Sequence, residues 1–150
     1  MVNWVILIIC ELVVFLFSFV GTKFNRIDSW YRKIKPKITP PSFVFPIVWT
    51  ILYFLIGVSL YLCWMTGISR FLVGGVFILN LILNVFWSYL FFYRRKPKLA
   101  FKEIFVLWLS ILLIIVSMWN ISRTASLIQI PYLLWVSFAS YLNYLIQKKF

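Results

Sequence analysis

The sequence has no histidine and only three acidic residues in 150 positions. Without histidine the chain lacks the usual proton shuttle, a common zinc ligand and a common haem axial ligand. It contains no glycine-rich phosphate loop, nucleophile elbow or paired-carboxylate spacing. Cys10 and Cys63 lie in separate apolar segments, where cysteine usually serves as a small apolar residue, so they indicate neither a disulfide nor a metal site. These absences argue against a conventional hydrolase or oxidoreductase.

Apolar residues dominate what is present. They make up 64% of the chain against 12% for charged residues, and the mean hydropathy is +1.00. A soluble domain of this size is far less apolar. Each crossing of a bilayer needs about 20 apolar residues, and the apolar segments cover residues 4–22, 43–65, 71–93, 101–119 and 125–146. The sequence therefore predicts an all-α integral membrane protein, a five transmembrane helix bundle that forms a single domain over residues 1–150.

Basic residues are concentrated on one side of the predicted membrane. Five spans place the two termini on opposite sides, so each loop can be assigned to a side. All but two of the 15 Lys and Arg residues then share one side, namely Lys23, Arg26, Arg32, Lys33, Lys35, Lys37, Arg94, Arg95, Lys96, Lys98, Lys102, Lys148 and Lys149. The positive-inside rule predicts a cytoplasmic C-terminus and an external N-terminus, in a bacterial cell membrane. The net charge of +12 follows from this topology and from attraction to anionic headgroups, and no nucleic-acid partner is expected.

Residues 23–42 form the longest loop. Its prolines, Pro36, Pro40 and Pro41, fix φ and disfavour helix before them, so an extended course along the cytoplasmic face is expected. Trp30 and Tyr31 carry amphipathic rings that favour the headgroup zone, so the loop is interpreted as a lid on the bundle. An ordinary interfacial anchor is an equally good interpretation of the same pattern.

Aromatic and amide side chains recur on one face of three predicted spans. The second span carries Trp49, Tyr53, Gly57 and Tyr61, the third Asn80, Asn84, Trp87 and Ser88, and the fifth Trp135, Ala139, Leu142 and Asn143. Amides in hydrocarbon are costly without partners, so this stripe must face other helices or a cavity. Indole and phenol rings beside a few amides suit a flat apolar ligand. Plain helix packing with interfacial aromatic belts is the alternative.

Two acidic residues fall inside predicted spans. The first span carries Glu11 at its middle and lacks a basic start, so it is interpreted as a transmembrane helix and not as a signal peptide. A carboxyl group in hydrocarbon needs a partner, which makes Glu11 a functional candidate; a hydrogen bond from protonated Glu11 to the amides of the third span is the alternative. Glu103 has Lys98 and Lys102 close in sequence and is predicted to form an interfacial ion pair.

Three segments carry a family resemblance. They are WYRKIKPKITPPSFVFPIVWTILYFLIGVSLYL, LNLILNVFWSYLFF and PYLLWVSFASYLNYLI, which resemble the signature segments of the translocator protein family, also called tryptophan-rich sensory proteins or peripheral-type benzodiazepine receptors. The match runs from Trp30 to Ile146 with the family's five-helix spacing. The resemblance implies a five-helix bundle, usually a homodimer, whose pocket is closed by the first loop. It implies binding of tetrapyrroles (protoporphyrin and haem), sterol-like lipids and benzodiazepine-type drugs, with no cofactor required.

The family's motifs map onto numbered residues of this chain. Its pocket tryptophans correspond to Trp49 and Trp135, which in bacterial members are held responsible for light-dependent breakdown of protoporphyrin and would then be catalytic. Its lid motifs correspond to Trp30, Tyr31, Lys35 and Pro36. Together with the face pattern, the resemblance gives the expected ligand-binding set: Trp30, Trp49, Tyr53, Asn84, Trp87, Trp135, Ala139 and Leu142. The sterol pattern of the family corresponds to Leu142, Tyr144 and Lys148.

The chain departs from the family in three places. Ile38 and Thr39 stand where many members have aromatic or histidine residues, the phenylalanines at 15, 17 and 19 predict a narrower pocket, and the third span has no small-xxx-small pair at the usual dimer position. Three functions follow as hypotheses. The first is a receptor or carrier for tetrapyrroles and similar ligands, the second a photochemical degrader of protoporphyrin, and the third a structural membrane protein without a ligand.

Overall fold

The computed structural model describes residues 1–25 and 27–150, and the ordered elements in this part of the chain are helical. The helices are α1 (Trp4–Thr22), α2 (Ser29–Ile34), α3 (Val44–Met65), α4 (Arg70–Ser88), α5 (Pro97–Met118), α6 (Arg123–Ile128) and α7 (Ile130–Gln147). One π-helical turn, Tyr89–Tyr93, extends α4. Five stretches, with α6 and α7 counted together, are long and apolar enough to cross a membrane. The predicted all-α membrane protein with five transmembrane helices is confirmed.

Prolines and capping side chains determine where several helices begin. Asn3 caps α1 by accepting a hydrogen bond from the Ile6 N–H at 3.2 Å. Pro97 begins α5, and Pro46 lies in the first turn of α3, positions whose N–H groups have no partner within the helix. Pro131 has the opposite effect in the last span, because its missing N–H and its ring interrupt the helix, and α6 and α7 meet at Gln129.

The five spans pack as a closed ring. α1 lies between α3 and α4, α5 lies between α4 and α7, and α6 contacts α3 and so completes the ring. Serine hydroxyls secure this closure, since Ser59 Oγ donates to the Ala125 carbonyl and Ser126 Oγ donates to the Ile115 carbonyl, both at 2.9 Å. The interior is filled by side chains such as Ile56, which is fully buried. Apolar side chains also cover the outside of the ring, as a lipid solvent requires.

Glu11 packs against the backbone of α3 and not against the amides of the third span. A Cβ atom at Gly57 would overlap the Glu11 carboxyl group. Both carboxyl oxygens are buried, and among the described residues they have no hydrogen-bond partner. The alternative of a hydrogen bond from Glu11 to the amide stripe is therefore wrong, since the amide groups of the stripe that are bonded have other partners: Asn80 Nδ2 donates to Ser110, and Asn84 is bonded to two tyrosines.

The loop over residues 23–42 contains a helix, α2, so the expected extended course is wrong for this part. Asp28 caps α2 by accepting a hydrogen bond from the Tyr31 N–H at 3.1 Å. The prolines restrict only the residues directly before them, and α2 ends at Ile34, before the extended Lys35 that precedes Pro36. The Asp28 cap therefore stabilises a helical turn in residues whose conformation the prolines do not restrict.

The lid helix α2 is held at both ends by other loops. Asp28 Oδ2 accepts a hydrogen bond from Arg95 Nη2 at 2.6 Å, and Lys149 Nζ donates to the Ile34 carbonyl at 2.8 Å. The Trp30 ring lies 6.0 Å from Phe91 and 6.2 Å from Phe150 between ring centroids. The first loop, the third loop and the C-terminal tail therefore meet at one end of the bundle. Arg26, one of the predicted loop cations, lies outside the described residues.

We predict that Asp28→Asn loosens the lid without unfolding the bundle. The pKa of Asp28 is lowered by the hydrogen bond from the Tyr31 N–H and by the charge of Arg95. The carboxylate therefore stabilises the lid above its ordinary pKa of about 3.9, and this contribution is lost as the pH falls through the lowered folded value. Hydrogen exchange of the α2 amides should become roughly fivefold faster in Asp28→Asn at neutral pH.

The matched control for this experiment is Arg94→Gln, which removes a positive charge next to Arg95 and leaves the ion pair intact. Lowering the pH of the wild-type protein from about 7 to about 5 should leave α2 protection unchanged, once intrinsic exchange rates are corrected, because Asp28 stays ionised over that interval. Because asparagine can still cap a helix, equal α2 exchange in Asp28→Asn and wild type would contradict the role of the carboxylate charge and its ion pair with Arg95.

We also predict that Gly57→Ala destabilises the bundle through Glu11. The new methyl group would displace a buried carboxyl group, and overpacking of this kind costs about 1–3 kcal/mol. Thermal unfolding in detergent should show a lower midpoint for Gly57→Ala, and Glu11→Ala in the same chain should restore part of the loss. Gly75→Ala is the control, because no atom lies within 4 Å of its added Cβ. Equal unfolding midpoints for Gly57→Ala and Gly75→Ala would refute the contact between Glu11 and Gly57.

Candidate functional site

A cavity of about 380 Å³ lies beneath the lid. It extends from the lid into the bundle, and α1, α3, α7 and the end of α4 form its walls. Seven residues of the expected ligand-binding set line it: Trp49, Tyr53, Asn84, Trp87, Trp135, Ala139 and Leu142. The face pattern of three spans thus converges on one enclosed space.

Trp30, Tyr144 and Lys148 lie away from the cavity. Trp30 occupies the other side of α2, where the Arg95 guanidinium stacks over its ring at 5.6 Å. Tyr144 packs against Phe101 of α5 at 5.7 Å, and Lys148 Nζ lies 4.3 Å from the Tyr144 ring. Of the sterol pattern, only Leu142 lines the cavity. Residues two positions apart on a helix point in different directions, so the pattern does not form one surface here.

Aromatic rings form the deep wall of the cavity. The Trp49 ring lies 5.4 Å from Tyr53 and 6.1 Å from Tyr132, and Phe45 meets Trp135 edge-on at 5.8 Å, all between centroids. The Trp135 Nε1 atom is buried and has no hydrogen-bond partner among the described residues. Buried donors are normally satisfied, so the unpartnered Trp135 Nε1 is an unusual feature of this wall.

Asn84 connects the aromatic wall to two neighbouring helices. Its Oδ1 accepts from the Tyr53 hydroxyl at 2.8 Å, and its Nδ2 donates to Tyr132 Oη at 2.9 Å. A second amide acts in the same way nearer the lid, where Asn143 Oδ1 accepts from Trp87 Nε1 at 3.1 Å and its Nδ2 donates to the Pro97 carbonyl at 3.0 Å. These buried bonds fix the side-chain positions of the walls.

Several lining residues are absent from the set expected from the sequence. α1 contributes Ser18, Gly21 and Thr22, followed by Asn25 in the loop. Their spacing of one to four residues marks one face of a helix in an otherwise apolar span, which is a signal that could have identified them. The phenylalanines at 15, 17 and 19 do not line the cavity, so the predicted narrowing does not occur through them. The lid contributes Tyr31, Lys35 and Thr39.

Glu103 lies inside the bundle and not at an interface with water. It is 7% exposed, and it makes no ion pair with Lys98 or Lys102 in the described part of the chain. The predicted ion pair is wrong because the three residues do not share a helix face: the residue one turn before Glu103 is the buried Ala100. Proximity in sequence is therefore a poor guide to ion pairing on α5.

Comparison with known proteins identifies the family. Residues 6–148 match the model of the TspO/MBR family. The chain is similar to tryptophan-rich protein TspO of Chlorobaculum tepidum, at 41% identity over 135 residues that cover 86% of this chain and 85% of that protein. It is 40% identical to tryptophan-rich protein TspO of Archaeoglobus fulgidus over 141 residues, which are 90% of each chain. It is 31% identical to the translocator protein of Ovis aries over 134 residues, covering 85% of this chain and 79% of that protein. The resemblance seen in the sequence is confirmed, and this integral membrane protein belongs to the TspO/MBR family.

Proposed function

We propose that the protein is a membrane receptor or carrier that binds a flat, largely apolar ligand in the cavity beneath the lid. The expected class is the tetrapyrroles, protoporphyrin and haem, and sterol-like lipids and benzodiazepine-type drugs share the flat apolar shape. The observation that carries the proposal is the convergence of Trp49, Tyr53 and Trp135 on one cavity. The names of the relatives, tryptophan-rich protein and translocator protein, agree with it.

Size and chemistry both support this ligand class. Ligand pockets usually have volumes of about 300–1,000 Å³, and the cavity beneath the lid has about 380 Å³. Indole and phenol rings contact a flat apolar molecule over a large area, and an indole N–H adds one directed hydrogen bond. The lid helix is joined to the bundle by exposed polar contacts and by the packing of Tyr31 against Leu90, Phe91 and Ile146. Because α2 has only six residues, it can open locally, and a ligand could then enter from the lid end while the spans stay packed.

A second candidate function is light-dependent breakdown of protoporphyrin by the same site. Its supporting observation is that Trp49 lies beside two other oxidisable rings, those of Tyr53 and Tyr132. An excited porphyrin can oxidise an indole, and this reaction needs neither histidine nor a metal. Trp49 and Trp135 are the residues that would react. The third hypothesis, a structural protein without a ligand, is the outcome if no porphyrin binds.

We predict that removing the two cavity indoles weakens protoporphyrin binding. The Trp49→Phe, Trp135→Phe variant should bind roughly tenfold more weakly, because each change loses stacking area and the donor at position 135 is lost. The affinity should be measured in the dark from the porphyrin absorbance, so that the loss of tryptophan fluorescence does not enter the readout. Trp119→Phe is the control, since Trp119 is half-exposed just past α5 and outside the cavity lining. Unchanged affinity in the double variant would refute the proposed pocket.

Illumination separates the two candidate functions. If the site degrades protoporphyrin, the porphyrin absorbance band should decay faster with the folded wild-type protein than with the Trp49→Phe, Trp135→Phe variant at equal porphyrin occupancy. Denatured wild-type protein provides the control for photochemistry that needs only dissolved indoles. Equal decay in all three samples would remove the degradation hypothesis and leave binding unaffected.

A further inference from the structure

Lys35 is the one charged residue among those that the structure places in the cavity lining. It follows α2 directly, and its backbone N–H bonds the Tyr31 carbonyl at 3.0 Å, which fixes its position at the rim of the lid. In the described part of the chain its side chain makes neither an ion pair nor a hydrogen bond. The flexible four-carbon stem lets the ammonium group reach a bound molecule at the rim.

The acidic residues of the protein are committed elsewhere. Asp28 is bonded to Arg95 and to the Tyr31 N–H, Glu11 lies against Gly57 between α1 and α3, and Glu103 is buried on α5. The sequence contains only these three acids. None of these three side-chain carboxylates therefore neutralises Lys35 at the cavity. A positive charge beside a low-dielectric wall attracts anions more strongly than one in open water.

The rest of the lining divides into a polar rim and an apolar interior. Asn25 and Thr39 lie with Lys35 at the lid, and the Thr39 hydroxyl is buried without a partner among the described residues. The tryptophans Trp49 and Trp135 lie on the spans. A ligand with a flat apolar body and a charged edge would match this division in one orientation only, with the charged edge at the lid.

We propose that Lys35 binds a carboxylate at the edge of the ligand, so that the site selects flat amphipathic anions over neutral molecules of the same shape. This inference rests on the proposed function, since it assigns an orientation to a ligand held by the cavity. It adds a specificity-determining residue that acts by charge, and it predicts that binding of an anionic ligand weakens as salt screens the ammonium group.

The test compares two probes with the same ring system: protoporphyrin, which carries two carboxylates, and its neutral dimethyl ester. Both are titrated in the dark against the full-length wild-type protein, Lys35→Gln, Lys35→Arg and Lys37→Gln in nanodiscs of neutral lipid. Lys37→Gln is the matched control, because it removes the same charge from an exposed lid residue outside the cavity lining. Comparing the ratio of the two affinities between variants cancels the difference in how the two probes partition into lipid.

We expect Lys35→Gln to weaken binding of the free acid roughly fivefold and to leave the ester unchanged. Lys35→Arg should keep the preference for the acid, and Lys37→Gln should behave as wild type. About 0.5 M salt should reduce the preference in every protein that keeps a positive charge at position 35, and leave Lys35→Gln unchanged. If Lys35→Gln shifts both probes equally, or neither, the role of Lys35 is refuted while the pocket stands. If neither probe saturates the wild-type protein, the proposed function fails, and this inference fails with it.

Discussion

The hydrogen bonds of one buried amide, Asn84, determine how three spans meet. An amide inside hydrocarbon is costly unless its oxygen and nitrogen are both bonded. Asn84 on α4 meets this requirement with a tyrosine on α3 and a tyrosine on α7. Both tyrosines contact the Trp49 ring, so the bonds that satisfy the amide also position the aromatic wall. The cavity follows from a polar constraint, because apolar packing alone discriminates little between helix orientations in lipid.

The lid depends on a different set of interactions. α2 is too short to be stable alone, and it is held by a capping aspartate, an ion pair, a lysine on its last carbonyl and the packing of Tyr31 against Phe91 and Ile146. The polar contacts are exposed and contribute little each. The protein thus combines rigid walls with a separable cover, which is the division that a receptor or carrier needs, since a ligand must enter without the spans coming apart.

The sequence predicted the five spans because their length and hydropathy are dictated by the bilayer, and it predicted most of the cavity wall because residues four apart share a helix face. The failures have physical causes as well. The prolines were expected to keep the whole lid extended, but they restrict only the residues directly before them, and the Asp28 cap stabilises α2. Trp30 and Tyr31 are adjacent in sequence, and helical periodicity alone does not predict which of the two rings lines the cavity. The orientation of α2 places Tyr31 there. Glu103 was predicted to form an ion pair because Lys98 and Lys102 are close in sequence, whereas Glu103 itself is buried.

The central claim, that the cavity beneath the lid is the ligand site, is tested most directly by an experimental structure of the protein with protoporphyrin bound. The porphyrin ring should contact both Trp49 and Trp135 beneath α2, with its carboxylates toward Lys35. A porphyrin on the lipid-facing groove between α1 and α4, lined by Phe17, Phe24 and Phe86, with the cavity free of porphyrin, would contradict the account.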